Sequence, residues 1–203
     1  MTTVLDLEPP ARSVARLLDR ITDDQLSGPT PCPDYSVRDL LGHLVHLTAA
    51  FRDAGTKTRS AATGTDPGSV PPPGLDGDWR TRLREQLDEL VTAWRNPGAW
   101  EGMTEAGGFT FPASEAGKVA LNELLIHGWD LARATGQEYS CDDATARASI
   151  DLMAPTDPEA SDGMFGPAVA VPEDAPPLDR AVGLSGRDPS WSPHAASRPS
   201  SPR

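Results

Sequence analysis

Residues 112–136 read PASEAGKVALNELLIHGWDLARATG, and this stretch decides the fold class of the chain. Proline in the opening turn and glycine after the last turn are common boundary residues of an α-helix. The residues between them are apolar almost all round the helical circumference, which predicts a long helix that is buried on most of its faces. The rest of the chain must therefore supply elements that pack about it.

Three further segments have apolar residues at helical spacing. The first covers about residues 10–20, and the third carries an apolar stripe over 79–94. The second has the most complete start signal, because Ser36 can cap it and Asp39 lies three residues later, as in a capping box. Gly55 is its predicted end. Together with the buried helix, these segments favour an all-α fold, a four-helix bundle, in which sites are built from side chains on facing helices.

Shorter elements are expected between and after these helices. A stretch rich in Gly, Pro, Ser and Thr at 60–77 predicts a loop. The glycines and aromatic residues of 100–111 predict an irregular excursion with brief strand pairing. Two short helices are expected at 142–153 and 177–184.

A chain of 203 residues is long enough to bury a core as one domain. We predict that this domain covers 1–188. The remaining residues, 189–203, are rich in Ser, Pro and Arg and have too little apolar content to order themselves, so they predict a disordered tail. His194 in that tail is interpreted as incidental rather than as a ligand.

Charge and composition exclude several kinds of partner. The net charge is −12 and the pI about 4.6, which argues against binding to nucleic acid or to an anionic membrane, since both require clustered Lys and Arg. No apolar run is long enough to span a bilayer, and the first residues do not resemble a secretory signal, so we expect a cytoplasmic protein. Cys32 and Cys141 lie far apart, which is compatible with a reducing compartment. The sequence leaves open whether the chain is a monomer or a homodimer.

Two ligand-type residues, Glu123 and His127, lie four positions apart on the buried helix and therefore share one face. A carboxylate in such apolar surroundings needs a partner, and a cation would supply it. The second helix offers His43, which lies nearer its apolar stripe than His46 does. Two imidazoles and one carboxylate are the ligand count of a catalytic zinc site with an open position. Nickel and iron accept the same ligands.

A simpler interpretation of these residues is that Glu123 and His127 form a hydrogen-bonded pair within their helix and that His43 is a flanking histidine. His46 is expected to face solvent. Asp39 could orient His43, although capping of the second helix is the expected role. Asp130 and Arg133 could support a ligand residue or contact the substrate, although they also have the spacing of an ordinary helical ion pair.

Longer strings favour the metal site. PTPCPDYSVRDLLGHL at 29–44, followed by NELLIHGWDLARATG at 122–136, resembles the actinobacterial maleylpyruvate isomerase-like family of the DinB-like superfamily. A third string, LSGRDP at 184–189, is similar to the usual ending of that family. The resemblance covers roughly 10–190, with a loose middle.

The resemblance implies a DinB-like four-helix bundle in which His43, Glu123 and His127 hold a divalent metal, typically zinc. It also implies mycothiol, a low-molecular-weight thiol, as cosubstrate. Tyr35 stands where the family usually has Trp. After the segment that resembles the family, we find no counterpart of the additional carboxy-terminal domain of the isomerase itself. We therefore do not expect that particular isomerase reaction.

These observations predict a metal-dependent thiol S-transferase or isomerase-like enzyme, in which the cation activates a thiol for attack on a small electrophile. The alternative is a non-catalytic protein that binds a metal or a small molecule on the same scaffold, or a bundle whose site holds no metal. Cys32 is a rival nucleophile, but its flanking prolines favour a structural turn. The loops at 57–77 and 100–112 are the expected sources of substrate specificity.

Overall fold

The computed structural model describes residues 5–66, 74–154 and 167–193. Four helices form the bundle: α1 (Glu8–Leu17), α2 (Val37–Thr56), α3 (Trp79–Trp94) and α4 (Ala113–Thr135). Two shorter helices follow, α5 (Asp143–Met153) and α6 (Pro177–Leu184). Three 3-10 turns (Leu18–Arg20, Asp23–Ser27 and Pro97–Trp100) and one helical turn (Ala61–Gly64) lie in the connections. The predicted all-α bundle with short additional helices is confirmed.

The bundle is assembled around α2, which packs against both α3 and α4, while α1 closes the other side. Leucines that are 0–1 % exposed fill the space between them, among them Leu40, Leu44, Leu83, Leu87 and Leu124. On its far side α4 contacts α5, and a second cluster joins Leu125, Ile126 and Trp129 to α6. Burial on both sides explains why α4 is apolar almost all round.

The start of α2 agrees with its sequence signal. Ser36 Oγ accepts from the Asp39 backbone N–H, and the Asp39 carboxylate accepts from the Ser36 backbone N–H. This reciprocal arrangement satisfies backbone donors that a helix start leaves without intrahelical partners. The capping role predicted for Asp39 is therefore confirmed, and the cap fixes the helix that carries His43.

The end of α2 differs from the prediction. The helix continues through Gly55 to Thr56 and is closed by Lys57 in the left-handed region at φ 58°. Gly55 instead marks a close approach of two helices, since a Cβ built on it would lie 3.0 Å from Trp94 Nε1. That indole N–H donates to the Phe51 carbonyl at 2.8 Å, so the absence of a side chain at Gly55 serves packing rather than termination.

The excursion between α3 and α4 contains the expected strand pairing. Strands β1 (Met103–Ala106) and β2 (Phe109–Pro112) form an antiparallel hairpin in which Met103 pairs with Pro112. The backbone N–H of Gly108 donates to the Thr63 carbonyl at 2.8 Å. This bond ties the hairpin to the helical turn that follows α2, within the loop predicted at 60–77. Part of that loop, 67–73, lies outside the described residues.

The first residues of the predicted tail at 189–203 make tertiary contacts. Trp191 packs against the cluster between α4 and α6, and its carbonyl accepts from the Arg133 guanidinium at 2.7 Å. The packing of Trp191 and the bond from Arg133 to its carbonyl hold this segment, although the composition of the segment is mostly polar. Residues 194–203, with His194, lie outside the described residues. Within the described parts of the chain, no helix is both long and apolar enough to cross a membrane.

Candidate metal centre

The three predicted ligands meet between two bundle helices. His43 comes from the second turn of α2, and Glu123 and His127 lie one turn apart on α4. One carboxylate oxygen, Glu123 Oε2, lies 3.4 Å from His43 Nε2 and 3.1 Å from His127 Nε2. One ligand atom of each residue lies within 4.8 Å of the other two. Both imidazoles thus present the same nitrogen, Nε2, to a common point.

The three side chains are largely withdrawn from solvent. Those of His43, Glu123 and His127 are 11 %, 17 % and 9 % exposed. Burial disfavours the charged carboxylate, but His127 and the hydrogen bonds from both histidines outweigh it and lower the pKa of Glu123 well below its ordinary value. Burial also opposes protonation of His127, yet Glu123 and Asp130 raise its pKa to about 9. Glu123 is therefore ionised at neutral pH, as a metal ligand must be.

Asp130 holds the second nitrogen of the His127 ring. Its Oδ2 lies 3.0 Å from His127 Nδ1, and the Asp130 side chain is fully buried. Arg187, which follows α6, approaches the same carboxylate with Nη2 at 3.2 Å from Oδ2 and donates through Nη1 to the Ser185 carbonyl at 2.7 Å. A buried carboxylate that is paired in this way fixes the orientation and tautomer of a metal-binding histidine.

The helical ion pair predicted between Asp130 and Arg133 is wrong. Arg133 turns away from Asp130, stacks over the Trp129 ring at 5.7 Å and donates to the carbonyls of Pro189 and Trp191. The partner of Asp130 is Arg187, 57 residues later. The pairing of Arg187 with Asp130 was not predicted from the sequence, although the string at 184–189, which contains Arg187, had been recognised as similar to the family's ending.

The residues fit a divalent transition metal. Two imidazole nitrogens and one carboxylate oxygen are donors that zinc accepts, and nickel and iron accept them too. In the structure the two Nε2 atoms converge on one oxygen that is ionised, and the remaining ring nitrogen of His127 is already engaged by Asp130. This is the chemistry expected of a ligand set and of the group that orients it.

The candidate centre opens into a cavity of about 1110 Å³. Typical small-molecule pockets measure roughly 300–1,000 Å³, so this one has room for a thiol and a second small molecule. The hairpin contributes Phe109 and Phe111 to its wall, and the turn after α2 contributes Thr65. The loops predicted to carry specificity thus border the same space as His43 and Glu123.

Three residues beside the ligands also line this cavity. His46 was expected to face solvent, but it is half-buried in the cavity wall and its Nε2 has no hydrogen-bond partner among the described residues. The centroid of the Tyr35 ring lies 5.4 Å from that of the His43 ring. Cys32 is half-buried, and burial is the main cause that raises the pKa of its thiol. A raised pKa disfavours the thiolate, which agrees with a structural turn rather than a nucleophile.

Comparison with known proteins identifies the family. The sequence model of one protein family, the mycothiol maleylpyruvate isomerase N-terminal domain, matches residues 7–132, which are more than half of the chain. The chain belongs to this family. The matched part of the mycothiol maleylpyruvate isomerase domain contains His43, Glu123, His127 and Asp130, whereas Arg187 lies beyond it.

Curated relatives and solved structures agree with this assignment. The uncharacterized protein Rv0738 of Mycobacterium tuberculosis is 30 % identical over 193 residues, which cover 85 % of this chain and 91 % of the relative. A second uncharacterized protein of that organism, Rv0036c, is 28 % identical over 156 residues. The alignment covers 66 % of this chain and 56 % of the relative.

Crystal structures of mycothiol-dependent maleylpyruvate isomerase have the same fold. One matches with a TM-score of 0.51 over 75 % of this chain and 72 % of that chain. A mutant form of the isomerase gives 0.54 over 80 % and 76 %. Both are 18 % identical in sequence, so they establish the shared fold. The chain is thus a member of a mycothiol-related enzyme family, as the sequence resemblance predicted.

Proposed function

We propose that this chain is a divalent-metal-dependent enzyme that uses mycothiol, as an S-transferase or an isomerase-like enzyme, on a small electrophile. The observation that carries the proposal is the convergence of His43 Nε2 and His127 Nε2 on Glu123 Oε2, at 3.4 and 3.1 Å, inside a large cavity. The family assignment supplies the class of thiol.

In this proposal His43, Glu123 and His127 hold the cation. A divalent cation bound by these ligands stabilises the thiolate form of an incoming thiol over the thiol at neutral pH and so supplies the nucleophile. Zinc is the metal we expect, and nickel and iron are the alternatives that the same ligands accept.

The chain's own residues position this chemistry. Asp130 orients the His127 ring through Nδ1, and Arg187 balances the charge of the buried Asp130 carboxylate. Burial raises the pKa of the Cys32 and Cys141 thiols, which disfavours either of them as the nucleophile.

Metal content tests the ligand set. Purified without chelators, the protein is expected to contain about one metal ion per chain by elemental analysis, which also identifies the metal. The variants His43→Ala, Glu123→Gln and His127→Ala should lose it. His46→Ala is the matched control, because His46 lines the same cavity three residues from His43 but is not one of the ligands. A metal content unaffected by the three ligand variants would refute the site.

Turnover separates the enzyme from a non-catalytic metal-binding protein. Mycothiol and a panel of electrophiles, including aryl halides and unsaturated carbonyl compounds, should react faster with the metal-loaded protein than with the His127→Ala variant. Stoichiometric metal with no rate above that variant would instead favour a metal-binding or small-molecule-binding protein without catalysis.

A further inference from the structure

The cavity beside the candidate metal centre has a wall of particular chemistry. Its exposed lining is predominantly apolar, with Leu47, Phe51, Phe109, Phe111, Val119 and Ile126 as its large apolar members. Pockets of this kind bind the hydrophobic body of a ligand and use a few polar groups to orient it. The wall therefore favours a ligand with an extended apolar or aromatic portion.

Charged groups in the wall are mostly acidic. Asp34, Asp66 and Glu123 line the cavity, and among the described lining residues Arg187 is the single Lys or Arg. That guanidinium is already bound to the buried Asp130 carboxylate and to the Ser185 carbonyl. The wall therefore offers no uncommitted lysine or arginine to a carboxylate of a substrate.

Two basic residues of the described chain, Lys57 and Arg59, do not line this cavity. Segments 67–73 and 155–166 adjoin the lining residues Asp66 and Pro167 in sequence, and neither segment contains Lys or Arg. Lys57 and Arg59 line a separate, smaller cavity, where Lys57 donates to the Glu101 carbonyl and Arg59 pairs with Glu105.

A cation at the metal centre would not supply the missing charge to a substrate carboxylate. Its two positive charges are balanced by the Glu123 carboxylate and by the thiolate of the cosubstrate, given that the imidazoles of His43 and His127 bind as neutral ligands. A carboxylate placed elsewhere in the cavity would be desolvated without a partner, which is strongly unfavourable.

Two neutral polar atoms buried behind the wall have no hydrogen-bond partner among the described residues. Asn122 lies on the cavity-lining face of α4 and is 1 % exposed. Its Oδ1 accepts from the Ser149 hydroxyl at 2.6 Å, while its Nδ2 has no partner among the described residues. His46 Nε2 is also buried and has no hydrogen-bond partner among the described residues. Both atoms are withdrawn from the cavity surface, so neither supplies a hydrogen-bond donor to a substrate carboxylate.

We infer that the electrophile of this site is an uncharged, hydrophobic molecule, and that dicarboxylates and other anionic electrophiles are rejected. This inference rests on the proposed function for the reaction itself, but the preference for an uncharged ligand is a property of the cavity and is measurable without turnover.

The test compares two electrophiles that differ in one charge, ethyl 4-chloro-3,5-dinitrobenzoate and the free 4-chloro-3,5-dinitrobenzoate anion. In both, the mycothiol sulfur bonds to the ring carbon that bears chlorine, the carbon–chlorine bond breaks, chloride leaves with the bonding electrons and the thiol proton passes to solvent. Each rate is divided by the rate without protein. We expect the metal-loaded protein to accelerate the ester at least about tenfold more than the anion. Equal acceleration, or a preference for the anion, would overturn the inference.

Binding of the unreactive analogues separates this inference from the proposed function. With the metal-loaded protein saturated with mycothiol, ethyl 3,5-dinitrobenzoate should bind at least about tenfold more tightly than 3,5-dinitrobenzoate in equilibrium dialysis. If the ester analogue binds selectively and neither electrophile is turned over, the proposed function fails while the ligand class stands. If neither analogue binds, or the anion binds as well as the ester, the ligand class is wrong.

A positive charge placed in the wall should weaken the preference for the ester. Phe109 lines the cavity and is 67 % exposed, so its replacement is compatible with folding. Phe109→Arg is expected to improve the relative affinity for the anion several-fold, by Coulomb attraction, whereas Phe109→Gln should not. Met103→Arg is the control for general surface charge, since Met103 lies on the same hairpin, is 55 % exposed and does not line this cavity. An identical change in Phe109→Arg and Met103→Arg would contradict the placement of the ligand.

Discussion

Asp130 Oδ2 lies 3.0 Å from Nδ1 of His127, the ring nitrogen that does not face Glu123. The contact leaves His127 Nε2 directed at the common point of the three candidate ligands. Because the Asp130 side chain is completely buried and is paired with Arg187, the imidazole has little freedom to rotate. The orientation of one ligand thus depends on residues that do not bind the metal themselves.

Replacement of Asp130 tests this dependence. Asp130→Asn keeps an oxygen acceptor for His127 but removes the charge that pairs with Arg187, and it should weaken metal affinity by about 10–100-fold. Competition with a chromophoric chelator measures the effect. Arg187→Gln should act in the same direction, since it leaves the buried carboxylate without its cation. Wild-type affinity in both variants would mean that His127 is oriented by its packing alone.

The cap of α2 should contribute to stability without affecting the metal. Ser36→Ala removes the acceptor for the Asp39 backbone N–H, which we expect to lower the free energy of unfolding by about 1 kcal/mol in urea denaturation. Ser36→Thr retains a hydroxyl and should cost less. Metal content should stay at the wild-type level in both, because Asp39 serves the cap rather than His43. A selective loss of metal in Ser36→Ala would instead mean that the cap is needed to position His43.

The C-terminal boundary can be located by truncation. A chain that ends at residue 188 loses the carbonyls bound by Arg133 and the packing of Trp191, and it should be destabilised by about 1–3 kcal/mol. A chain that ends at residue 193 keeps every one of these contacts, and its melting temperature should match that of the full chain. Equal melting temperatures for both truncations would restore the boundary predicted at 188.

The two thiols should react slowly at neutral pH. Burial raises the pKa of Cys32, and burial together with Asp142 and Asp143 raises the pKa of Cys141 to about 11. A raised pKa lowers the thiolate fraction at pH 7.5, so alkylation by iodoacetamide should be slower than for N-acetylcysteine and should still accelerate above pH 9.

Single-cysteine variants assign these rates. In Cys141→Ser the alkylation reports Cys32, and in Cys32→Ser it reports Cys141. Cys32→Ser should also retain the thiol-transfer activity of the wild type. Loss of that activity, with metal content preserved, would give Cys32 the role of nucleophile that its environment disfavours.

Local patterns predicted most of the fold because each depends on residues close together in sequence. The capping pair Ser36 and Asp39 sets the start of α2, and Gly136 closes α4 with a positive φ of 68°. Gly55 was misassigned because the same residue type suits both a helix end and a close helix contact, and only the position of Trp94 distinguishes them. The packing partner, Trp94, therefore determines that Gly55 serves a helix contact rather than a helix end.

The candidate site was predictable to the extent that its residues share a helix or a recognisable string. Glu123 and His127 are neighbours through helical spacing alone, and the two strings joined His43 to them. Arg187 could not be paired with Asp130 from spacing, since 57 residues separate them and Arg133 was the nearer candidate. His46 was assigned to solvent because a helical projection shows its direction on α2 but not the hairpin that completes the cavity around it.

The bond between Arg187 and Asp130 also has a consequence for biosynthesis. All three candidate ligands are translated by residue 127, but the guanidinium that neutralises Asp130 comes 60 positions later and close to the end of the chain. A nascent chain emerging from the ribosome therefore presents the ligands before it can lock the ring of His127. Maturation of the centre is therefore expected to be completed only after the segment with Arg187 has been synthesised and has docked against Asp130.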